Sequence, residues 1–266
     1  MAPRPFWKGY LKLSLVTCPV AMTPAITESQ KVRFHTLNRA TGNRVQSVYV
    51  DAETDEQVDE DEEVKGYQTG DDEYLVIEDD EIDSVALEST RTIDIESFVP
   101  RQSIEWIWYD RPHYLVPDDP VGQEAFSVIR DAMAATDMAA ISRVVLYRRE
   151  RAVMLVPRDR GIVLWTLRYG DEVRDPEAYF GDIKKTEVDD RLVSLVGQLI
   201  DERKKDWDPE MVKDPVQDRM LEIIAAKKKG RKVPKAKDEA PARNEGNVIS
   251  IMDALKRSLA EEKRKR

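Results

Sequence analysis

Eight short runs that favour extended backbone, at 32–37, 74–77, 91–96, 104–109, 113–117, 140–147, 152–156 and 162–169, constrain this chain more than any other feature. They are rich in Val, Ile, Tyr and Trp and are punctuated by Pro, Gly and Asp. Thr92-Ile93-Asp94-Ile95-Glu96 and Ile104-Glu105-Trp106-Ile107-Trp108 alternate apolar with polar residues, so each offers one face to a core. No regular succession of helices intervenes, which points to an antiparallel barrel or sandwich and away from a doubly wound sheet. Three helices stand against that background. The first, 121–134, carries Val121, Ala125, Val128, Ile129 and Ala132 on one face. The second, 188–204, repeats Leu192, Leu195, Val196 and Leu199 at helical spacing. The third, 215–229, begins at Pro215, carries Val216, Met220, Ile223 and Ile224, and ends at Gly230. From 227 to 237 the composition turns to Lys, Arg and Pro, a flexible basic linker, and an amphipathic segment follows at 247–259.

The net charge of −10 conceals a division along the chain. Residues 51–90 hold eighteen acidic side chains against Lys65 alone, and the rest of the molecule stands at +7. Residues 1–50 carry +6 and residues 226–266 carry +8. One acidic block therefore sets the overall charge, and it does not describe the surface a phosphate backbone would meet. With 41% hydrophobic residues the chain is rich enough to build a core. Its longest uncharged run, fifteen residues at 13–27, is interrupted by Pro19 and Pro24. A membrane-spanning helix needs roughly 20 apolar residues. Lys8 and Lys12 spoil a signal-peptide reading of the same region. Cys18 is the only cysteine, so an intramolecular disulfide is excluded and a reducing, cytoplasmic location is expected.

Motifs of covalent chemistry are missing. The chain has no Gly-rich phosphate loop, no paired-histidine helix and no serine at nucleophile-elbow spacing. His35, His113 and Cys18 are too few for a structural zinc site without several carboxylates. Cys18, in an apolar stretch with no basic neighbour, reads as a buried thiol. The acidic 51–63 run lacks the spaced ligands and turn glycine of a calcium loop and reads as solvated. No enzyme activity, cofactor or metal is expected.

Seven segments resemble prokaryotic Ku proteins in the family's own order. They are 4–20, opening Arg4-Pro5-Phe6-Trp7-Lys8-Gly9-Tyr10; Val32-Arg33-Phe34-His35-Thr36-Leu37; Val64-Lys65-Gly66-Tyr67; 90–99; Tyr109-Asp110-Arg111-Pro112-His113-Tyr114-Leu115; Ile141-Ser142-Arg143-Val144-Val145-Leu146; and 247–255. Some relatives carry a cysteine pair in the segment equivalent to 45–63, and this chain has none. The resemblance implies a mainly β fold with α: a Ku-core antiparallel β-barrel with an extended DNA-encircling arm and C-terminal helices. It divides the chain into a core with its ring-forming arm at 1–187, helices at 188–230, and a basic linker with a terminal helix at 231–266.

It further implies a ring-shaped homodimer that binds double-stranded DNA ends without reading sequence, in non-homologous end joining. Such a ring must be positive where it meets phosphate, because phosphate contacts position a protein without specifying sequence. Candidate contacts are Lys31, Arg33, Arg44, Arg143, Arg148, Arg149, Arg151 and Arg168, with the tail residues Lys227, Lys228, Lys229, Arg231 and Lys232. Arg148-Arg149-Glu150-Arg151 falls between two expected strands and suggests a hairpin turn presenting three guanidiniums. At the C-terminal end Val248, Ile251, Met252, Leu255 and Leu259 form an apolar stripe. In the family that end is associated with recruiting an ATP-dependent DNA ligase. Neither a membrane nor a small-molecule substrate is implied, and a nucleoid-associated location follows. Two other classes stay open. A general architectural DNA binder would not need a free end, and a tail lysine could act as an abasic-site lyase through a Schiff base.

Overall fold

Tyr10 and Thr92, eighty-two positions apart, lie side by side on parallel strands and close a barrel. The computed structural model describes residues 4–85, 87, 90–231, 252, 254–258 and 260. In chain order its elements are β1 (Trp7–Leu13), β2 (Val16–Pro24), β3 (Lys65–Gly70), β4 (Glu73–Ile77), α1 (Asp79–Ser84), β5 (Thr92–Pro100), β6 (Tyr109–Pro117), α2 (Gly122–Ala135), β7 (Met138–Leu146), β8 (Arg149–Arg158), β9 (Gly161–Leu167), α3 (Glu177–Phe180), α4 (Asp190–Arg203) and α5 (Pro215–Lys228). The barrel order is β1-β2-β6-β9-β8-β7-β5, antiparallel at every step except β5 against β1. Strands β3 and β4 pair only with each other. The expected barrel is therefore present, and closure leaves its strands no free edge.

Alternation fills the interior. Ala140, Val144 and Leu146 of β7, Val153 and Leu155 of β8, and Ile162 and Leu164 of β9 join one buried cluster with Leu11, Val20, Ile93 and Leu115. Ser142 shares that buried face and donates to the Asp94 carbonyl at 2.5 Å. A second cluster lies apart from it, where Ala139, Met154 and Val156 are covered by Ile104, Tyr109 and Trp165. Strand β8 is thus buried at four consecutive residues, 153–156, which is why it reads as a continuous apolar run. Gly9 is required where β1 meets β5: a Cβ there would stand 2.1 Å from the Arg91 carbonyl oxygen.

Three sequence expectations need correction. Residues 104–109 do not form a strand; Trp106–Trp108 make a single 3₁₀ turn. Only Ile104 and Tyr109 at the ends of this run pack on the second cluster, Trp106 is 80% exposed, and Tyr109 donates to the Ile104 carbonyl at 3.1 Å to hold the turn. Residues 32–37 likewise lack a strand, with only isolated bridges at Leu37↔Arg44 and Val50↔Gln57 in this region. A strand without a hydrogen-bonded neighbour has nothing to hold it. In α2 the buried face is Gly122, Phe126, Ile129 and Met133, while Val121 and Val128 are 89% and 64% exposed. The apolar stripe read from the sequence was rotated, because the large Phe126 and Met133 decide what fills the barrel cluster. Strands β1, β2 and β3 were also absent from the sequence reading. Lysines on β1 and prolines in β2 obscure their pattern.

The chain separates into two compact units, 1–30 with 35–175, and 31–34 with 176–266. In the second, Asp189 caps α4 by accepting from the Arg191 amide at 2.8 Å, and Asp214 caps α5 by accepting from Val216 and Gln217. Gly230 ends α5 with φ of 63°, its amide bonded to the Lys227 carbonyl and that of Arg231 to the Ala226 carbonyl.

Candidate nucleic-acid interface

The β7–β8 hairpin gathers the densest group of candidate cations. Leu146 pairs with Arg149, so the turn is Tyr147-Arg148, with φ of 52° and 64°. Positive φ at both central residues is the type I′ pattern, which ordinarily recruits Asn-Gly. A bulky aromatic and an arginine hold it here at a cost of about 1 kcal/mol or more each. Arg148 pairs with Asp83 of α1 at 2.7 Å, and its carbonyl accepts from the Leu87 amide, so the end of the acidic block folds onto this turn. Arg149 and Arg151 lie in β8, beyond the turn. Arg143 of β7 reaches Glu150 at 3.0 Å and Glu96 at 3.6 Å. The Arg151 guanidinium lies 5.2 Å from the centre of the Tyr169 ring, whose hydroxyl donates to the Glu150 carbonyl. Arg168 donates to the Ile107 carbonyl at 3.2 Å and lies 3.9 Å from Asp110.

Beside the hairpin, the ends of β2, β7 and β9 and the beginnings of β6 and β8 surround a cleft of about 560 Å³. Its walls include Asp110, Arg111, His113, Tyr147, Arg151 and Thr166. Thr166 donates to the Asp110 carboxylate at 3.1 Å and accepts from the Arg111 amide at 3.0 Å. His113 is 6% exposed, and its buried Nδ1 has no hydrogen-bond partner. Burial pushes this imidazole below its ordinary pKa, and the charge on Arg111 adds to that; the nearby Arg111 and Leu164 backbone and the Asp110 charge oppose it. An orphaned buried polar atom costs about 1–3 kcal/mol and asks for an explanation. Phe6 closes the group, stacked on Tyr147 at 6.1 Å and 13°, and 5.5 Å from the His113 ring.

The remaining candidates scatter. Lys31 and Arg33 lie in irregular backbone, and Arg44 makes one isolated bridge to Leu37. Lys227 and Lys228 end α5, with Lys229 and Arg231 just beyond; all four are exposed. Of the proposed partner-binding residues, Met252 and Leu255 are helical and half-buried. Met252 lines a cleft with Leu195 of α4. Lys232, Val248, Ile251 and Leu259 lie outside the described residues. Sequence reasoning overlooked Tyr147 and Arg111 and gave His113 no role. The positive-φ turn that singles out Tyr147 has no Asn-Gly signature, so nothing local announced it.

Among the described residues no group of three or more His, Cys, Asp or Glu is placed to hold a metal. No described helix is long and apolar enough to cross a membrane. Comparison with known proteins gives a consistent result. Residues 12–195 match the family profile of the Ku70/Ku80 beta-barrel domain. Over its whole length the chain is similar to bacterial proteins named non-homologous end joining protein Ku. That of Methylocella silvestris is 62% identical, covering 97% of this chain and 96% of the relative. That of Allorhizobium ampelinum is 55% identical, covering 100% and 99%. That of Gluconacetobacter diazotrophicus is 58% identical, covering 98% and 99%.

Proposed function

Because this chain belongs to the Ku family of non-homologous end-joining proteins, we propose that it binds double-stranded DNA ends as a ring-shaped homodimer and brings an ATP-dependent ligase to them. The observation that carries the reading is the arm between β2 and β5. It exposes Ile26, Val48, Tyr49, Tyr67, Tyr74 and Leu75, each more than half open to solvent. Two paired strands, β3 and β4, are marginal alone in water. Apolar side chains on such an arm call for a covering surface, and a second copy supplies one by symmetry.

Arg143, Arg148, Arg149, Arg151 and Arg168 then serve as phosphate contacts, joined by Lys31, Arg33 and Arg44 and by the tail cations Lys227, Lys228, Lys229, Arg231 and Lys232. The ion pairs that occupy Arg143 and Arg148 are largely exposed. Such pairs are worth about 0–1 kcal/mol, so exchanging a carboxylate for a phosphate is cheap. Binding of this kind weakens with salt, because each neutralised phosphate releases counterions. Met252 and Leu255, with the neighbouring apolar positions 248, 251 and 259, offer a helix face for a groove on the ligase.

Competition between linear fragments and relaxed closed circles of equal length tests the ring. A ring threads onto linear duplex and not onto a covalently closed one. Linear DNA is therefore expected to compete well and circles poorly. Equal competition overturns the ring and leaves a general architectural binder.

A further inference from the structure

Arg151 apart, the cleft beside the β7–β8 turn holds groups that gripping a duplex does not use. A duplex presents phosphates on a convex surface, and its bases are stacked out of reach. A recess of about 560 Å³ with a few convergent polar groups has the size of a small-ligand site. Arg111 and Arg151 line it, neither makes an ion pair among the described residues, and the Arg151 guanidinium lies against the Tyr169 ring. Of the nearby carboxylates, Asp110 is engaged by Thr166 and Arg168, and Glu28 also lines the cleft. The His113 ring also borders it. Tyr147 is 80% exposed, is backed by Phe6, and is held in a backbone conformation that glycine would adopt without strain.

We propose that this cleft binds a single unpaired nucleotide, with its base against Tyr147 and its phosphate between Arg111 and Arg151. The anion explains two guanidiniums without a carboxylate partner, and the base explains why an aromatic residue is kept at a strained turn. A bare phosphate would make no use of Tyr147. A neutral aromatic compound would make no use of the arginines. The same chemistry has two sources, the unpaired terminal nucleotide of a DNA overhang and a free mononucleotide. The first source rests on the end-binding reading above; the second does not.

The test uses the full chain and three labelled duplexes: one blunt, one with a single unpaired 5′-phosphorylated nucleotide, and one with an abasic residue in that place. Free deoxyadenosine monophosphate is titrated separately. The unpaired nucleotide is expected to tighten binding about tenfold over the blunt and abasic ends, the scale of one base stacked on an aromatic ring. Tyr147→Gly, which suits the turn, and Arg111→Gln are each expected to erase that advantage with blunt-end affinity and melting temperature unchanged. Tyr147→Phe is expected to keep it. Saturable binding of the free nucleotide, lost in both variants, supports the site with a free nucleotide as its source even where the overhang confers no advantage. The proposal is overturned if neither the overhang nor millimolar free nucleotide shows binding at the cleft. It is equally overturned if abasic and base-bearing overhangs tighten binding over the blunt end by the same factor, or if both variants retain the advantage. Failure of the ring reading registers separately, in blunt-end binding and in competition by circles.

Discussion

At position 113 an imidazole sits in the barrel wall with one nitrogen unsatisfied and its pKa lowered by burial. The folded protein therefore keeps His113 neutral at a pH where the unfolded chain takes up a proton. Stability is present above the ordinary value of 6.5 and is lost as the pH falls through it towards the folded value. His113→Phe keeps the ring shape and removes the titration. Its melting temperature is expected to fall less between pH 7.5 and 5.5 than that of the parent protein, with denaturation scans at both values as the measurement. Equal slopes would remove His113 from the pH dependence. Asp51, held below the usual carboxylate range by the Thr54 and Glu53 amides, and Asp131, held there by the Arg130 side chain, act only at more acidic pH. Cys18 is fully buried, and burial raises its thiol pKa, with the Asp119 charge adding to the effect. It packs in the core, as its apolar sequence context suggested.

Helix α2 shows how an element's face is chosen. Its possible apolar stripes differ by a rotation of about one residue, and the barrel takes the one bearing the largest side chains. Gly122 lets the helix start close to β2, where a Cβ would stand 2.7 Å from Pro19. Phe126→Ala is expected to cost about 3–5 kcal/mol, since the neighbouring barrel wall cannot collapse into the space. Val128→Ala, one turn position away but 64% exposed, is expected to stay within about 0.5 kcal/mol. Urea unfolding of the two variants distinguishes them; similar losses would mean that the exposed face is covered in the assembled protein. The β7–β8 hairpin makes the complementary point. Its existence was legible from Arg148-Arg149-Glu150-Arg151 between two strand runs, whereas the strain at Tyr147 was not.

For the whole molecule, the exposed arm and the terminal segment make separate demands on partners. Truncation after Arg243 is expected to leave dimerisation and most DNA-end binding intact while abolishing stimulation of the cognate ligase. Sedimentation, end-binding titration and ligation assays on the same preparation measure all three. Ligation that falls only in proportion to DNA affinity would make the segment an accessory DNA contact. Met252→Asp with Leu255→Asp repeats the test without removing chain, because a carboxylate in an apolar groove is costly. Met252 also borders the cleft beside Leu195 of α4. A sharp drop in that variant's melting temperature would assign the stripe to this intramolecular contact.

What the sequence determined by itself was the kind of element at most positions. Strand and helix periodicities are local, set by side chains two, three or four residues apart, and they placed β4 to β9 as well as α2, α4 and α5 close to where they lie. The ordered Ku-like segments added the family. Tertiary structure decided which neighbour each element would have. The parallel contact of Tyr10 with Thr92 closes the barrel across a separation that no periodicity encodes. Ile104 and Tyr109 were drawn onto a second cluster, so an alternating run became a turn. Arg143 and Arg148 acquired carboxylate partners, and Arg111 and Arg151 came to line one cleft. Such outcomes depend on groups far apart in the chain competing for the same space and the same counter-charge, and only the folded backbone fixes which of them meet.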